Sequence, residues 1–508
     1  MMEIILAGYN LDNETINQLV SGEEVSPEAL TPETISAAYA RISRDSRPVN
    51  ELRAVAREDV AKAKKSAKTI VFGLGHHSVA EHAVFNFDVL GVSRLAIEAL
   101  EQHRIGVGFT EKSQRYITLD GDYVMPTEFT ADERELFNQL VGEQNDFYFK
   151  VLPELERYQR EANPEMWKDR NERRTLQGWA KEDARYVLSL ATEGQLGYTA
   201  NARALEHTLR RLKHHHLAEV RDLGERLYEK AKEVAPSLII LADEELFLEA
   251  QGGTLEDKFF EKGRTDRIEA TENLLRRMDF GNKSPRLVKG RVVNVEGNDP
   301  DIAIMAALIY ESSKPKFSYS EAMAISDLAF PHEREGYIGD VLKNLGKFDS
   351  VPREFEMGKM VFDLIVSSSC YAQLKRHRLC TQLVGDYNPE LGVVVPESIE
   401  AIGRKGDFLD LVGGKTGEFY RKIQENHPEN PRLGEYGLTN AHQRQVLVGM
   451  NMRELYHFSR LREDAHAQWD IRETAKAMSI GAKELAPATT MLLGGKHEFD
   501  KIKERVYR

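Results

Sequence analysis

From Ala83 to Val92 the chain reads AVFNFDVLGV, with Phe85, Phe87 and Val89 alternating against Asn86 and Asp88. A period of two places the apolar set on one face and predicts a half-buried β-strand. KMVFDLIVSS, Lys359 to Ser368, is more continuously apolar, which predicts a strand covered over more of its surface. The opening MMEIILAGYN reads as a first strand. PETISAAYARIS (Pro32 to Ser43) and PDIAIMAALIYES (Pro300 to Ser312) read as helices, each entered through an early proline with an acidic residue in the first turn. In TANARALEHTLRRL, Leu205, Leu209 and Leu212 recur at helical spacing, the mark of an amphipathic helix.

These elements come in pairs. Each strand leads into a helical run ending in a His-Arg pair, His103-Arg104 and His377-Arg378. Later, each half carries Asn-x-Arg-x-x-x-His: Asn201, Arg203 and His207, then Asn451, Arg453 and His457. Arg203 and His207, four apart on a helix, share a face. The chain therefore reads as two tandem copies of one α+β domain, a sheet flanked by helices, over 1–250 and 286–508. The polar stretch 251–285 between them reads as a linker.

Composition narrows the class. At 508 residues, two or more domains are expected. A hydrophobic share of 41% and a charged share of 30% describe a globular protein. With 69 basic against 82 acidic residues, the net charge of −13 argues against a general nucleic-acid binder. Two cysteines supply neither a disulfide framework nor a multi-cysteine zinc site. The N-terminus lacks a signal-peptide pattern and no run is long and apolar enough to span a bilayer, so a cytoplasmic, membrane-free protein is expected.

A His-Arg pair beyond a helix, next to glycine-softened backbone, suits a phosphate or pyrophosphate: guanidinium offers paired donors, and glycine admits the anion close to backbone N–H groups. One such pair alone is better explained as a basic helix end favoured by the macrodipole. Recurrence in both halves favours the functional reading. HHSVAEH (His76 to His82) invites a zinc reading, but neither HExxH nor HxxEH is present, and no metal is expected. His214 to His216 read as a solvated helix end, and Cys380 as a small, partly buried side chain.

Arg376-His377-Arg378 and the segment Glu111-Lys112-Ser113-Gln114-Arg115-Tyr116 resemble two pieces of one signature, that of the flavin-dependent thymidylate synthases: Arg-His-Arg, seven residues, Ser, then x-Arg-Tyr. HHSVAEH, both Asn-x-Arg helices and AHAQWDIR (Ala465 to Arg472) extend the resemblance over most of the chain, once per half. Neither half is complete. The first has Gln102 for the leading Arg, and eight residues (Ile105 to Lys112) before Ser113. The second keeps Arg-His-Arg but has neither Ser nor Arg from Leu379 to Pro396. The family's nucleotide-contacting Gln is matched by Gln373 and, in the first half, by Ala99. Its late Arg is matched by Arg462; the first half has Leu212 there, with Arg211 one residue away. A further Arg is matched by Arg185, where the second half has Glu435.

The resemblance implies reductive methylation of dUMP to dTMP with methylenetetrahydrofolate, through FAD and with NADPH as reductant. It also implies a homodimer rebuilding the tetramer of single-domain relatives, with sites where subunits meet. It assigns the nucleotide to Gln373, Arg376 and Arg462 on one wall and to Glu111, Ser113, Gln114, Arg115 and Arg185 on the other, so that each half retains one wall. Arg462 is the candidate for stabilising charge that builds on the pyrimidine, and Ser113 is a hydrogen-bonding positioner. FAD falls to His76, Ser78, Glu81, His103, Arg104, Asn201, Arg203, His207, Arg376, His377, Arg378, Asn451, Arg453 and His457. The second half has FDSVPREFE where the first has HHSVAEHAV, so fewer flavin sites than repeats are expected. No GxGxxG is present, which excludes a Rossmann flavoprotein. The rival expectations are a flavoenzyme acting on another pyrimidine nucleotide and a non-catalytic flavin- or nucleotide-binding protein.

Overall fold

The computed structural model describes residues 2–42, 44–69, 71, 76–113, 121–243, 245, 262–277, 292–297, 299–313 and 317–508. Within these, two four-stranded antiparallel sheets form, with one order repeated. The first comprises β1 (Glu3–Tyr9), β2 (Val84–Ser93), β3 (Val107–Glu111) and β4 (Glu193–Asn201), ordered β1-β2-β4-β3. The second comprises β5 (Val292–Gly297), β6 (Lys359–Ser367), β7 (Cys380–Tyr387) and β8 (Gln443–Asn451), ordered β5-β6-β8-β7. The alternation in β2 is realised: Phe85, Phe87 and Val89 are buried, while Asn86 and Asp88 are exposed. In β6 the alternation holds at first, with Val361 exposed between Met360 and Phe362. From Leu364 to Ser367 both faces are covered.

The helices that matter for the site are α1 (Arg94–Glu101), α2 (Ala131–Ala162), α3 (Arg170–Ala184), α4 (Ala202–Lys213) and α5 (Ala218–Val234) in the first repeat. Their counterparts in the second repeat include α6 (Ser368–Leu374), α7 (Thr416–Asn426), α8 (Met452–Arg462) and α9 (Trp469–Leu485). In the second repeat, Phe362, Leu364 and Val366 of β6 and Val446, Val448 and Met450 of β8 form one apolar face. It packs in the same core as Leu455 and Phe458 of α8 and Ile471, Ala475 and Met478 of α9. Each of these side chains other than Ala475, fully buried, contributes roughly 1.5–3 kcal/mol.

The spatial division does not follow the sequence repeat. One unit holds 1–139, 189–285 and 419–437; the other holds 140–188, 286–418 and 438–508. Each repeat has thus given a segment to the other's unit, and named contacts hold each in place. In the first unit, Phe419 packs against Phe129 and Phe137, while Asn426 and His427 bond Glu133. In the second, Phe147 packs against Phe408, and Arg404 grips Glu154 through two N–H···O bonds of 2.9 and 2.8 Å, a bidentate, charge-assisted pair. The expected linker 251–285 contains a helix at Lys262–Arg277; the rest of it lies outside the described residues. Among the described residues, no helix is long and apolar enough to cross a membrane. Nor do three or more His, Cys, Asp or Glu side chains gather in a way that could hold a metal ion.

Part of the Asn-x-Arg motif is architectural. Asn201 ends β4 and caps α4, its Oδ1 accepting the Ala204 N–H at 2.8 Å; Asn451 ends β8 and caps α8 by accepting the Glu454 N–H at 2.8 Å. Both strand-to-helix corners are fixed this way, which sets the register of the Arg and His that follow. Asn451→Ala should therefore destabilise the second unit by about 1 kcal/mol, whereas Asn451→Asp retains the cap. Thermal unfolding checks this: a midpoint for Asn451→Ala equal to wild type would show that the cap carries no stability.

Candidate active site

The second unit gathers a cluster at the mouth of α6. Ser367 caps that helix, accepting the Cys370 N–H, and its own hydroxyl donates to Asp470 Oδ2 at 2.5 Å. Tyr186, from the segment contributed by the first repeat, donates to the same Oδ2 at 2.9 Å. Tyr186 lies flat on Trp469 with ring centroids 5.5 Å apart. Burial and the adjacent carboxylate push the Tyr186 phenol well above its ordinary range, so it remains a donor. Trp469 Nε1 donates to Asp183 at 2.7 Å, and Ser398 donates to the other Asp183 oxygen. Burial raises the Asp183 carboxyl to about 6 against those two bonds.

This scaffold presents three of the expected substrate residues. Arg185, next to Tyr186 and buried, donates from Nη2 to Ser369 Oγ at 2.7 Å. Ser369 and Gln373 stand four apart on α6 and share one face. Gln373 in turn meets Arg462 of α8: Nη2 donates to the Gln373 carbonyl at 3.2 Å, and Nη1 lies 3.4 Å from its Oε1. Gln468, which caps α9, bonds both Gln373 and the Tyr186 hydroxyl. Arg185, Gln373 and Arg462 therefore belong to one hydrogen-bonded assembly, built from both repeats. Arg376 and Arg378 are exposed on either side of buried His377. Glu111 and Ser113 are half-buried at the end of β3 in the first unit, and Gln114 and Arg115 lie outside the described residues.

The first unit repeats the scaffold but lacks counterparts of Arg185, Ser369 and Gln373. Ser93 caps α1 and donates to Glu219 Oε2 at 2.6 Å; Tyr436 donates to the same oxygen at 2.8 Å. These match Ser367, Asp470 and Tyr186. Arg211 donates to the Ala99 carbonyl at 2.8 Å, as Arg462 does to Gln373, which identifies Arg211 as the counterpart of Arg462. Beyond that the two diverge. Ala99 replaces Gln373, Leu95 replaces Ser369, and buried Glu435 replaces Arg185. Glu435 is held by Arg432 at 2.9 and 3.2 Å. A buried carboxylate where the other unit has a guanidinium disfavours a phosphate.

The first repeat carries one more residue than the second between its His-Arg pair and the strand that follows. Val107 and Cys380 stand opposite Ala200 and Met450, each one residue before the capping Asn. Three residues separate His103 from Val107, and two separate His377 from Cys380. The extra residue therefore sits in the turn at Ile105–Gly106, and β3 pairs with β4 in unbroken register through Glu111. Gly106 has φ of +77°, and a Cβ there would come within 2.7 Å of Asn201 Nδ2. Only glycine suits that position.

The flavin residues divide between the units in the same way. In the first, His76, Ser78, Glu81 and Arg203 are exposed; Arg203 pairs with Glu81 at 2.5 Å, and Arg44 lies 3.0 Å from His76 Nε2. Arg44, Arg203 and half-buried Arg104 are cations of the kind a pyrophosphate needs. The His103 and His207 rings lie 4.7 Å apart, tilted by 35°, and burial lowers both, His207 to about 4. At neutral pH they offer flat, uncharged rings. In the second unit Arg453 is engaged by Glu356 and the Val351 carbonyl. Phe348 and Asp349 stand where the first repeat has His76 and His77. His457 is exposed, whereas His377 is buried between Glu454 and Arg462. The donor set of the first unit fits a flavin dinucleotide; an apolar ring and an acid in the second do not. Cys380 is buried and donates to the His377 carbonyl.

Tyr186, Ser369, Gln468, Asp470 and Glu454 were not singled out from sequence. Tyr186 adjoins Arg185, and Gln468 and Asp470 lie within AHAQWDIR, so proximity to matched positions was the available signal.

Comparison with known proteins agrees with the duplicated architecture. The family model described as thymidylate synthase complementing protein matches residues 27–237 and again 291–488. A UPF0159 protein of Thermoplasma acidophilum is 24% identical over 89% of this chain and 93% of its own length. A flavin-dependent thymidylate synthase of Clostridium tetani is 31% identical over 41% of this chain and 80% of its own. The structure of a UMP/dUMP methylase from Streptomyces cacaoi matches 50% of this chain and 97% of its own at 17% identity, with a TM-score of 0.34. Two consecutive family matches over two sheets of identical order make this chain a tandem member of the flavin-dependent thymidylate synthase family.

Proposed function

We propose that the protein converts dUMP to dTMP by reductive methylation, with the nucleotide held by the assembly of Arg185, Gln373 and Arg462. The observation that carries this reading is the joining of Arg185, from the first repeat, to Ser369 on the α6 face that also bears Gln373. Two guanidinium groups and an amide on one buried scaffold suit a nucleotide monophosphate: fixed positive charge for the phosphate, and a donor for the base. Arg185 and exposed Arg376 are assigned to the phosphate. Arg462, oriented by three protein acceptors, is assigned to the pyrimidine, where negative charge must build at N3 and the carbonyls before C5 can act as a nucleophile. Gln373 holds Arg462 and the nucleotide in register.

The net change replaces hydrogen at C5 by methyl: a methylene unit comes from methylenetetrahydrofolate, and the C5 proton leaves to solvent. Tetrahydrofolate is the folate product. His76, Ser78, Glu81, Arg104 and Arg203 are the residues that would hold FAD, which when bound would supply, at NADPH's expense, the hydride equivalent the methyl group requires. The surplus residue in the turn before β3 leaves the strand register intact.

Tritium release from 5-tritiated dUMP, with FAD, NADPH and methylenetetrahydrofolate present and dTMP confirmed by mass, tests the reaction. Arg462→Ala should lower kcat by about 10²–10³, in line with loss of one electrostatic stabiliser. Tritium release without dTMP would replace the carbon donor. No release from protein shown to hold FAD would reject dUMP as substrate.

The distribution of residues further supports one nucleotide per chain, completed by the Ser-x-Arg loop of a partner chain. Titration with dUMP should saturate at one per chain; two per chain would reject the asymmetry. Mixing Arg115→Ala with Arg376→Ala chains should restore about a quarter of wild-type turnover, because half the dimers are mixed and each has one intact site. No recovery on mixing would place the loop and the wall of each site in the same chain.

A further inference from the structure

Arg462 is held on one side by Gln373 and on the other by a buried imidazole. Arg462 Nε lies 3.0 Å from His377 Nε2, and His377 Nδ1 lies 3.1 Å from Glu454 Oε1. His377 is 4% exposed and Glu454 5%. A guanidinium nitrogen can only donate, so Nε2 must accept and carry no proton. The ring proton therefore sits on Nδ1 and donates to the Glu454 carboxylate. We infer that Glu454 and His377 are positioning residues for the proposed reaction: Glu454 fixes the Nδ1–H tautomer of His377, and the bare Nε2 then orients Arg462 toward the pyrimidine.

Two features separate this arrangement from ordinary packing. Glu454 occupies the third position of α8, where a carboxylate commonly turns back to the N–H of the capping residue; here it accepts from His377 instead. The first unit, with Arg211 in the place of Arg462, has Ala204 where Glu454 stands, and its His103 packs with tilted rings against His207. The carboxylate–imidazole–guanidinium chain thus occurs in the unit that also carries Arg185 and Gln373. The same logic operates when a second group fixes the tautomer of a functional histidine.

Protonation would end it. An imidazolium has N–H on both nitrogens, so Nε2 would confront Arg462 donor to donor and charge to charge. His377 is faced by Glu454, His457 and Arg462 of α8, and is flanked in its own turn by Arg376 and Arg378. Burial lowers its pKa most; the Glu454 hydrogen bond and charge oppose this, while Arg462 and His457 add to the lowering. Turnover should therefore be complete above the ordinary histidine range and fall as pH drops through a value below 6.5.

The inference rests on the dUMP reading, and one readout is independent of it. In protein labelled with ¹⁵N-histidine, the His377 ring, assigned by its absence in His377→Gln, should show the Nδ1–H tautomer at neutral pH and lose that pattern in Glu454→Ala. Glu454→Ala should also lower kcat by about 10–100-fold with dUMP binding less affected. His377→Gln, whose amide can donate to Glu454 and accept from Arg462, should recover part of the turnover lost in His377→Ala and show no acid limb. An Nε2–H tautomer in wild type, unchanged kcat in Glu454→Ala, or an acid limb persisting in His377→Gln would overturn the relay. The expected NMR pattern in a protein that does not turn over dUMP would instead leave the relay standing and reject the substrate.

Discussion

The site depends on a buried carboxylate shared by three parts of the chain. Asp470 accepts from Ser367, which begins α6, and from Tyr186, which belongs to the other repeat. A buried acid left without such donors is penalised by several kcal/mol, so these bonds fix where α6 starts and where the contributed segment ends. Arg185 follows from Tyr186, Gln373 from the start of α6, and Gln468 from the cap of α9. The first unit keeps the same constraint through Glu219, Ser93 and Tyr436. What the two units share is the fastening; what they differ in is the chemistry mounted on it.

That separation gives a physical account of an uneven duplication. Both copies must satisfy their buried carboxylate and cap their helices, because failure there would destabilise them. The guanidinium and amide groups answer to no such requirement. In the first unit Glu435, stabilised locally by Arg432, stands in the position of Arg185, and Ala99 in that of Gln373. Meanwhile the exposed cations and polar groups around Arg203 persist there, and in the second repeat give way to Phe348 and Asp349.

Much of this was legible in the sequence, for identifiable reasons. The alternation around Phe85 and the leucine spacing after Asn201 are local signals, and each produced the expected strand or helix. Gln373, Arg462 and Arg185 were reachable because they sit at fixed distances from recognisable motifs. Arg211 was one residue out of register, and only its bond to the Ala99 carbonyl shows its equivalence to Arg462. The exchange of 140–188 and 419–437 was not legible: each contributed segment has its own helical periodicity, and nothing in it says which core its apolar face covers. Nor was the tautomer of His377, which depends on a glutamate 77 residues away.

The crossing of those two segments has a consequence for how such a chain can be inherited. A break in the linker would leave each fragment holding residues that belong to the other's unit, so neither product would be a self-sufficient protein. Encoding both repeats in one reading frame guarantees their synthesis in equal amounts. Losing either half would strip the survivor of a segment that belongs to its own unit.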